Sequence, residues 1–255
     1  MNIKDQAVLI TGGASGLGLA TARAANDLGA WVTIADRDEA AGEATAKLLG
    51  SRVTFVPADV TDAQQVTDAV NESMKDAPLR ALIHTAGRGG AVRLIDKEGN
   101  AGDISIFEDV VRTNLVGSFV VASTAAAAMA RNEPTPDGSR GAIVLTASVA
   151  AFEGQIGQTA YAASKAGVVG MTIVAARDLA RKGIRVNTIA PGLMDTPLLG
   201  RLREDIRASL AQSVPNPARL GNSDEYASLA MHLVDNEYMN GETIRIDGAI
   251  RMGVR

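Results

Sequence analysis

The segment that sets the architecture is AVLITGGASGLGLATARAANDLGAWVTIAD, residues 7–36. It starts with an apolar run, turns at Gly12, Gly16 and Gly18, and continues through an alanine-rich stretch to a second apolar run. The apolar runs predict strands, and the stretch from Gly16 to about Leu28 predicts a helix. A strand–helix–strand unit of this length implies a right-handed parallel crossover, so both strands belong to one parallel sheet.

The same alternation of apolar runs and helical segments continues to the end of the chain. No shift in composition and no long linker divides the 255 residues. We therefore predict one domain over residues 1–255, an α/β doubly wound Rossmann-type fold with a mostly parallel sheet and helices on both faces. The seven predicted strands cover residues 7–11, 31–36, 52–59, 81–87, 142–148, 184–192 and 242–247.

Three segments between these strands carry predictions of their own. Ser105 and Glu108 in SIFEDVV have the spacing of a capping box, which predicts the start of a long helix. Residues 131–141 are rich in turn formers and predict an exposed loop. Residues 192–222 follow the carboxyl end of a strand, where we expect them to cover a substrate pocket.

Composition excludes several classes of function. The chain has no cysteine and two histidines, so a disulfide scaffold, a thiolate nucleophile and a Ser-His-Asp triad are not favoured, and no metal site is predicted. Net charge is −4, with scattered basic residues, which argues against nucleic acid or an anionic membrane as partner. The first residues lead directly into a strand without a targeting segment, which predicts a cytoplasmic protein. The partner that we expect instead is a small-molecule substrate.

The turn TGGASGLG, residues 11–18, is typical of a phosphate-binding loop. Glycine permits a tight turn, lets backbone amides approach a pyrophosphate, and allows the helix to pack close to the sheet. The helix that begins here points its first amides at the phosphates. The residues predicted to contact a nucleotide in this turn are Gly12, Ser15, Gly16, Leu17 and Gly18.

Acidic residues after the second and third strands predict the other half of the nucleotide site. Asp36 ends the second strand, where a carboxylate can accept hydrogen bonds from ribose hydroxyls and would repel a 2′-phosphate. This favours NAD over NADP, although Arg37 could pair with such a phosphate. Asp59 and Val60 are placed for the adenine side, with a simple helix cap before Thr61 as the alternative for Asp59.

Five motifs now stand in one order along the chain: TGGASGLG, HTAG, TNLVG, a serine after the fifth strand, and Tyr-x-x-x-Lys. That order resembles the short-chain dehydrogenase/reductase family over essentially the whole chain. The resemblance implies an NAD-dependent enzyme. It places catalytic roles on Asn114, Ser148, Tyr161 and Lys165, and further cofactor contacts on Ala86, Gly87, Tyr161, Lys165, Pro191, Gly192 and Thr196.

The roles that the resemblance implies suit the chemistry of these side chains. Tyr161 would be the general acid or base, with its pKa lowered by the Lys165 ammonium together with the positive charge of the oxidised nicotinamide. Lys165 would also hold the nicotinamide ribose, and Ser148 would orient the substrate oxygen. Asn114 would anchor a water that connects Lys165 to solvent. From the residues alone, Ser148 could equally satisfy a strand-end amide, and Asn114 could cap or kink its helix.

One position departs from the family pattern, and one closer resemblance narrows the substrate. His84 stands where the family usually has asparagine, and we predict a structural role for it. Two stretches of the second half are TASVAAFEGQIGQTAYAASKAGVVGMT, residues 146–172, and RDLARKGIRVNTIAPGLMDTPLL, residues 177–199. They resemble the 3-hydroxyacyl-CoA dehydrogenase subgroup of this family. That resemblance implies NAD-dependent interconversion of (3S)-3-hydroxyacyl-CoA and 3-oxoacyl-CoA in fatty acid metabolism by a homotetramer. The alternatives are a hydroxysteroid dehydrogenase, an NADPH-dependent 3-oxoacyl carrier-protein reductase, or a catalytically silent NAD-binding regulator.

Overall fold

Seven parallel strands form one sheet in the computed structural model, which describes residues 1–200 and 202–254. The strands follow the spatial order β3-β2-β1-β4-β5-β6-β7, and every neighbouring pair is parallel. This confirms the predicted doubly wound fold. The strands are β1 Ala7–Thr11, β2 Trp31–Asp36, β3 Val53–Pro57, β4 Leu79–His84, β5 Gly141–Thr146, β6 Ile184–Pro191 and β7 Thr243–Ile246.

Helices cover both faces of the sheet. Helices α3, α5 and α6 pack on one face, and α1, α2 and α9 pack on the other. The central strands are buried on both sides, which explains why β1, β4 and β5 are continuous apolar runs rather than alternating ones. The helices are α1 Gly16–Asp27, α2 Glu39–Leu49, α3 Ala63–Ser73, α4 Ile104–Val111, α5 Gly117–Met129, α6 Thr159–Leu179, α7 Pro197–Gly200, α8 Glu204–Gln212 and α9 Ser223–Asp235.

The strand order reverses between β1 and β4, and this reversal positions the site. Chain segments leaving β1 and β4 turn to opposite faces, so a crevice opens at their carboxyl ends. The glycine-rich turn follows β1 there, and the segment that begins at Thr85 follows β4. Backbone hydrogen bonds from Thr85 N to Thr11 O at 2.9 Å and from Gly12 N to Ala35 O at 2.8 Å hold the crevice edges together.

The start of α4 differs from the prediction. Helix α4 begins at Ile104, and its N-cap is Asp103, whose carboxylate accepts a hydrogen bond from Ser105 N at 2.8 Å. The capping box predicted at Ser105 and Glu108 is therefore wrong. An aspartate two residues before Ser105 satisfies the free amide first, which leaves the serine inside the helix with its hydroxyl donating to the same carboxylate.

Two long helical stretches, Ile104–Met129 and Thr159–Lys182, have the length and apolar composition of membrane-spanning helices. Both lie against the same face of the sheet and contribute side chains to its core. The alanine-rich composition of α5 suits this position, because small side chains let a helix approach a flat sheet closely. Residues 131–140 form the mostly exposed loop that the turn formers predict.

Candidate active site

A cleft of about 290 Å³ opens at the carboxyl ends of β1, β2 and β4. It includes eleven of the positions predicted to contact a nucleotide, which are Gly12, Ser15, Gly16, Leu17, Gly18, Asp36, Asp59, Val60, Ala86, Gly87 and Thr196. The other lining residues, which the sequence does not predict as contacts, are Ala35, Arg37, Ala58, Thr85, Thr113 and Pro197. The cleft thus has the lining expected around the adenosine and pyrophosphate part of a dinucleotide.

The glycines of the phosphate loop are required by close contacts. Gly12 has φ +73, and a Cβ there would lie 2.6 Å from Ala86 N. A Cβ on Gly18 would lie 2.1 Å from the carbonyl oxygen of Gly12, so α1 could not pack against the turn. Ser15 precedes α1 without capping it through its side chain. The turn therefore offers backbone amides of α1 to an anion, which fits the pyrophosphate of a nicotinamide dinucleotide.

Asp36 ends β2 with its carboxylate turned back toward the glycine-rich turn. Its Oδ2 atom accepts a hydrogen bond from Ala14 N at 3.1 Å, and its Oδ1 atom accepts one from Asp38 N at 3.1 Å. A carboxylate can accept about four hydrogen bonds, so both oxygens keep capacity toward the cleft. The two backbone amides hold the carboxylate where the adenosine ribose of a bound dinucleotide is expected.

Asp59 and Arg37 form an ion pair across the adenine end of the cleft. Arg37 Nη1 lies 3.5 Å from Asp59 Oδ2. The Asp59 carboxylate also accepts hydrogen bonds of 2.8 Å from the amide and the hydroxyl of Thr61. Partial burial raises the pKa of Asp59, but the Thr61 hydrogen bonds and the charge of Arg37 outweigh it, and the pKa is lowered. Asp59 thus lines the cleft and accepts hydrogen bonds from Thr61. It is not the cap of α3, because the N-cap residue of that helix is Asp62.

Asn114 lies in a π-helical turn, Arg112–Val116, between α4 and α5. Its fully buried side chain donates to Arg88 O at 2.9 Å and to Ser164 Oγ at 3.1 Å, and accepts from Arg88 N at 2.8 Å. Asn114 therefore lies within a distorted turn of the helix, which corresponds to the kink and not to the cap of the two structural alternatives. π turns are frequent at functional sites, because they aim one side chain out of helical register.

Lys165 and Asn114 converge beside Gly87. A Cβ added to Gly87 would lie 3.2 Å from Asn114 Oδ1 and 3.4 Å from Lys165 Nζ. The Lys165 ammonium is buried and donates a hydrogen bond to Thr146 O at 2.8 Å. Burial lowers the pKa of Lys165 to about 8. A positive charge thus lies next to the end of the cleft that Gly87 lines.

Tyr161 and Ser148 complete this group. Helix α6 carries Tyr161 one turn before Lys165, and the Lys165 Nζ atom lies 5.9 Å from the centroid of the tyrosine ring. Burial raises the pKa of the Tyr161 phenol, and hydrogen bonding with the Ser148 side chain opposes this to a smaller extent. Without a bound dinucleotide the pKa of Tyr161 is thus raised, and the lowering expected from Lys165 together with an oxidised nicotinamide stays a prediction.

Ser148 has a local structural partner as well. Its Oγ atom accepts a hydrogen bond from Ala150 N at 3.1 Å, which caps the short 3₁₀ turn Val149–Ala151 after β5. The strand-end alternative for Ser148 is thus present in the structure. It is compatible with substrate contact, because the hydroxyl still has a proton to donate and a second lone pair.

His84 lies in the interior of the sheet. Its Nδ1 atom lies 2.6 Å from Thr11 Oγ1 on the neighbouring strand, and the side chain is fully buried. Burial, together with the charge of Lys165, lowers the pKa of His84 to about 3. The imidazole is therefore neutral at ordinary pH and ties β4 to β1, which agrees with a structural role.

Pro191 and Gly192 lie apart from the residues that line the cleft within the described chain. Pro191 ends β6 beside Ile246 of β7, and Gly192 N donates to Ile246 O at 3.0 Å. They start the turn that brings Thr196 to the cleft. Pro197, the next lining residue, could have been inferred from Thr196, and Thr113 from its place beside Asn114 in the TNLVG motif.

Comparison with known proteins places this site in a family. The family model described as short chain dehydrogenase matches residues 6–207. The match spans the glycine-rich turn, Asp36, the π turn with Asn114, and the segment that holds Ser148, Tyr161 and Lys165.

Individual relatives match nearly the full length. The chain is 50% identical to 3-hydroxyacyl-CoA dehydrogenase type-2 of Drosophila melanogaster, over 98% of this chain and 99% of that protein. It is 48% identical to the human protein of the same name, over 98% and 97% of the two chains. The crystal structure of 3-hydroxyacyl-CoA dehydrogenase type-2 from Mycobacterium avium superimposes with a TM-score of 0.95 at 44% identity, covering 98% of each chain.

Proposed function

The chain belongs to the short-chain dehydrogenase family, and from that membership we propose that it interconverts (3S)-3-hydroxyacyl-CoA and 3-oxoacyl-CoA with NAD as cofactor. The observation that carries the proposal is the convergence of Asn114, Lys165 and Gly87 at the end of the nucleotide cleft, with Tyr161 beside Lys165. The substrate class follows from two relatives, both named 3-hydroxyacyl-CoA dehydrogenase type-2, that share about half of their residues with this chain.

The side chains of the site divide the chemistry between them. The nicotinamide, when bound, supplies the hydride acceptor for oxidation or the hydride for reduction. Tyr161 takes the hydroxyl proton of the 3-hydroxyacyl group during oxidation and returns it to the 3-oxo oxygen during reduction. Ser148 donates a hydrogen bond to the same oxygen. The Lys165 ammonium favours the phenolate of Tyr161 once that proton has left.

Two charged residues support NAD as the cofactor. The Asp36 carboxylate is fixed by two backbone amides at the place of the adenosine ribose, where it would repel a 2′-phosphate. Arg37, the residue that could instead attract such a phosphate, is paired with Asp59. Pairing lowers the net positive charge that Arg37 presents to the cleft, and so favours NAD over NADP.

We expect the protein to act on its small-molecule substrate in the cytoplasm, without a nucleic acid or membrane partner, and residues 192–222 to cover the substrate. Thr196 and Pro197, at the start of that segment, already line the cleft, which supports this expectation. Leu198, within the segment, has no described side chain, and Arg201 lies outside the described residues.

The substrate and cofactor are tested together in one panel. We expect the purified protein to reduce acetoacetyl-CoA and longer 3-oxoacyl-CoAs with NADH, followed by nicotinamide absorbance, with NADPH at least about tenfold poorer in kcat/KM. A ketosteroid and a 3-oxoacyl carrier-protein thioester are the comparison substrates. Turnover of the steroid alone would assign a hydroxysteroid dehydrogenase, and NADPH-dependent turnover of the carrier-protein thioester would assign a reductase. NAD binding without turnover of any substrate would make the protein a silent regulator.

A homotetramer is the proposed assembly. Helices α5 and α6 each carry exposed apolar side chains, among them Phe119 on α5, which is 60% exposed, and Val174 on α6. Such a surface suits contact with a second copy of the chain. We expect sedimentation velocity to give a mass four times that of the chain, and Phe119→Glu to reduce it. Leu48→Glu, which changes an exposed leucine on α2, is the control and should leave the mass unchanged. A monomeric wild type would contradict the proposal.

A further inference from the structure

Two buried polar pairs lie near the carboxyl ends of β1, β4 and β5, on opposite faces of the sheet. Strand alternation places Thr11 and His84 on the face that α6 covers, and Thr146 on the face that α9 covers. Thr146 Oγ1 lies 2.6 Å from the hydroxyl of Tyr226, which α9 contributes. Thr146 Oγ1 also lies 2.6 Å from His84 O, which joins the two pairs across the sheet.

The direction of these hydrogen bonds follows from the chemistry of the groups. A carbonyl oxygen only accepts, so Thr146 must donate its one hydroxyl proton to His84 O. Tyr226 therefore donates to Thr146 Oγ1. Tyr226 is fully buried, and its hydroxyl finds this one partner among the described residues. The result is a series of two hydrogen bonds, from Tyr226 on α9 to Thr146 at the end of β5 and from Thr146 to His84 at the end of β4.

The same residue, Thr146, holds the proposed catalytic lysine. Its backbone oxygen accepts the 2.8 Å hydrogen bond from Lys165 Nζ on the α6 face, while its side chain faces α9. The orientation of that carbonyl depends on how the last residue of β5 is held. Two hydrogen bonds of the Thr146 hydroxyl hold it, one to each neighbouring element.

We propose that Tyr226 is a positioning residue for the dehydrogenase reaction, which acts through Thr146 to fix the carbonyl that holds the Lys165 ammonium. Tyr226 lies on the opposite face of the sheet from Tyr161 and Lys165, so it acts without contact with substrate or cofactor. The inference rests on the proposed function, since it assigns Tyr226 to the machinery of that same reaction.

The consequence for Lys165 can be measured through pH. The titratable groups that face Lys165 among the described residues are Tyr161 on α6 and His84 on β4. His84 stays neutral, since its pKa is about 3, so it adds no charge between pH 6 and 10. Burial already lowers the pKa of Lys165 to about 8. A displaced Thr146 carbonyl would remove a hydrogen bond that favours the ammonium, so this pKa should fall further.

Three substitutions test this series of hydrogen bonds, and a fourth is the matched control. Tyr226→Phe removes the donor, Thr146→Val removes the hydroxyl and leaves Tyr226 unpaired, and Thr146→Ser keeps the hydroxyl. The control is Thr172→Val, because Thr172 and Thr188 form another buried hydroxyl pair of 2.6 Å, between α6 and β6. Thr172 donates its hydroxyl proton to Val168 O, so Thr188 is the donor in the pair with Thr172. Thr172→Val therefore leaves the buried hydroxyl of Thr188 without its acceptor, as Thr146→Val does for Tyr226. The pH profile of kcat/KM and urea unfolding are measured for each variant.

We expect Thr146→Val to lower kcat about tenfold and to move the upper limb of the profile down by about 0.5 pH unit. Tyr226→Phe should shift the limb in the same direction, and the double variant should be no worse than Thr146→Val, because both act through this one series of hydrogen bonds. Thr146→Ser should restore the wild-type limb. Thr172→Val should lose comparable stability and leave the limb unchanged.

Other outcomes would overturn the inference. An unshifted limb in Tyr226→Phe, or a shift in Thr172→Val as large as that in Thr146→Val, would reduce Tyr226 to a structural role. If Thr146→Val does not fold, Tyr226→Phe decides alone. Failure of the proposed function looks different, because the wild-type protein itself would then not turn over 3-oxoacyl-CoA.

Discussion

Tyr161→Phe is expected to lower kcat/KM for acetoacetyl-CoA reduction by about 10³-fold or more, while the affinity for NAD changes little. Phenylalanine keeps the ring and its packing at the start of α6 but removes the only proton that this side chain can exchange. The proton must then come from water, in a site where the side chain is largely enclosed. Stopped absorbance assays measure the rate, and calorimetric titration measures NAD binding.

The chain offers a matched control for this substitution. Tyr238 is fully exposed, so Tyr238→Phe removes a phenol of the same kind far from any packed element and should leave kcat/KM unchanged. Activity of Tyr161→Phe within tenfold of wild type would assign the proton transfer to another group. Loss of NAD affinity together with activity would show that the phenol binds the cofactor rather than exchanges the proton.

The pH dependence of oxidation follows from the same side chain. Burial raises the pKa of Tyr161 above its ordinary value. A base must be deprotonated to accept a proton, so oxidation of the hydroxyacyl substrate should speed up as pH rises toward that pKa. Reduction needs the protonated phenol and should not show this requirement. Lys165 opposes the gain in oxidation, because its ammonium is lost above its pKa of about 8.

Asp36→Asn should remove most of the preference for NAD. Asparagine keeps the size of the side chain and one acceptor oxygen for Ala14 N or Asp38 N, but it loses the charge that binds ribose hydroxyls and repels a 2′-phosphate. Charged hydrogen bonds contribute about 1.5–3 kcal/mol, so kcat/KM with NADH should fall by about 10- to 100-fold. With NADPH it should rise.

Asp38→Asn is the control for Asp36→Asn, since it makes the same change of net charge two residues away. Asp38 caps α2 through Ala41 N and lies outside the lining of the cleft, so cofactor preference should not change. Equal NADH and NADPH activity in the wild type, or an unchanged ratio in Asp36→Asn, would contradict the role of Asp36.

The sheet could be predicted from sequence because its signals are local. Each central strand is buried on both faces and appears as a short apolar run, and the glycine turn after β1 marks where the first crossover begins. The start of α4 shows the limit of local patterns. Ser105 and Glu108 match a capping box but lie inside the helix, whereas at α9 the Glu225 carboxylate accepts a hydrogen bond from Asn222 N, the N-cap residue, at 2.7 Å. The sequence pattern alone does not say which residue precedes the first turn.

Much of the candidate site could also be predicted, through the order of its motifs. The contacts that could not be predicted join residues far apart in the chain. Arg37 pairs with Asp59 across two strands, and Thr146 pairs with Tyr226 eighty residues later from the opposite face of the sheet. Neither pair leaves a periodic signal. The raised pKa of Tyr161 could not be predicted either, because it depends on burial in the folded protein, which the spacing to Lys165 does not reveal.

The π turn at Arg112–Val116 makes chain length part of the active site. A π turn holds one residue more than the α-helical turn that it replaces, so deletion of one residue there would give a continuous α-helix with α5 nearly in its present orientation. Val121 and Ala125 would still pack on the sheet. The deletion would instead change the position of Asn114, which lies inside the π turn. Alignment gaps in this helix should mark relatives that hold their catalytic amide differently.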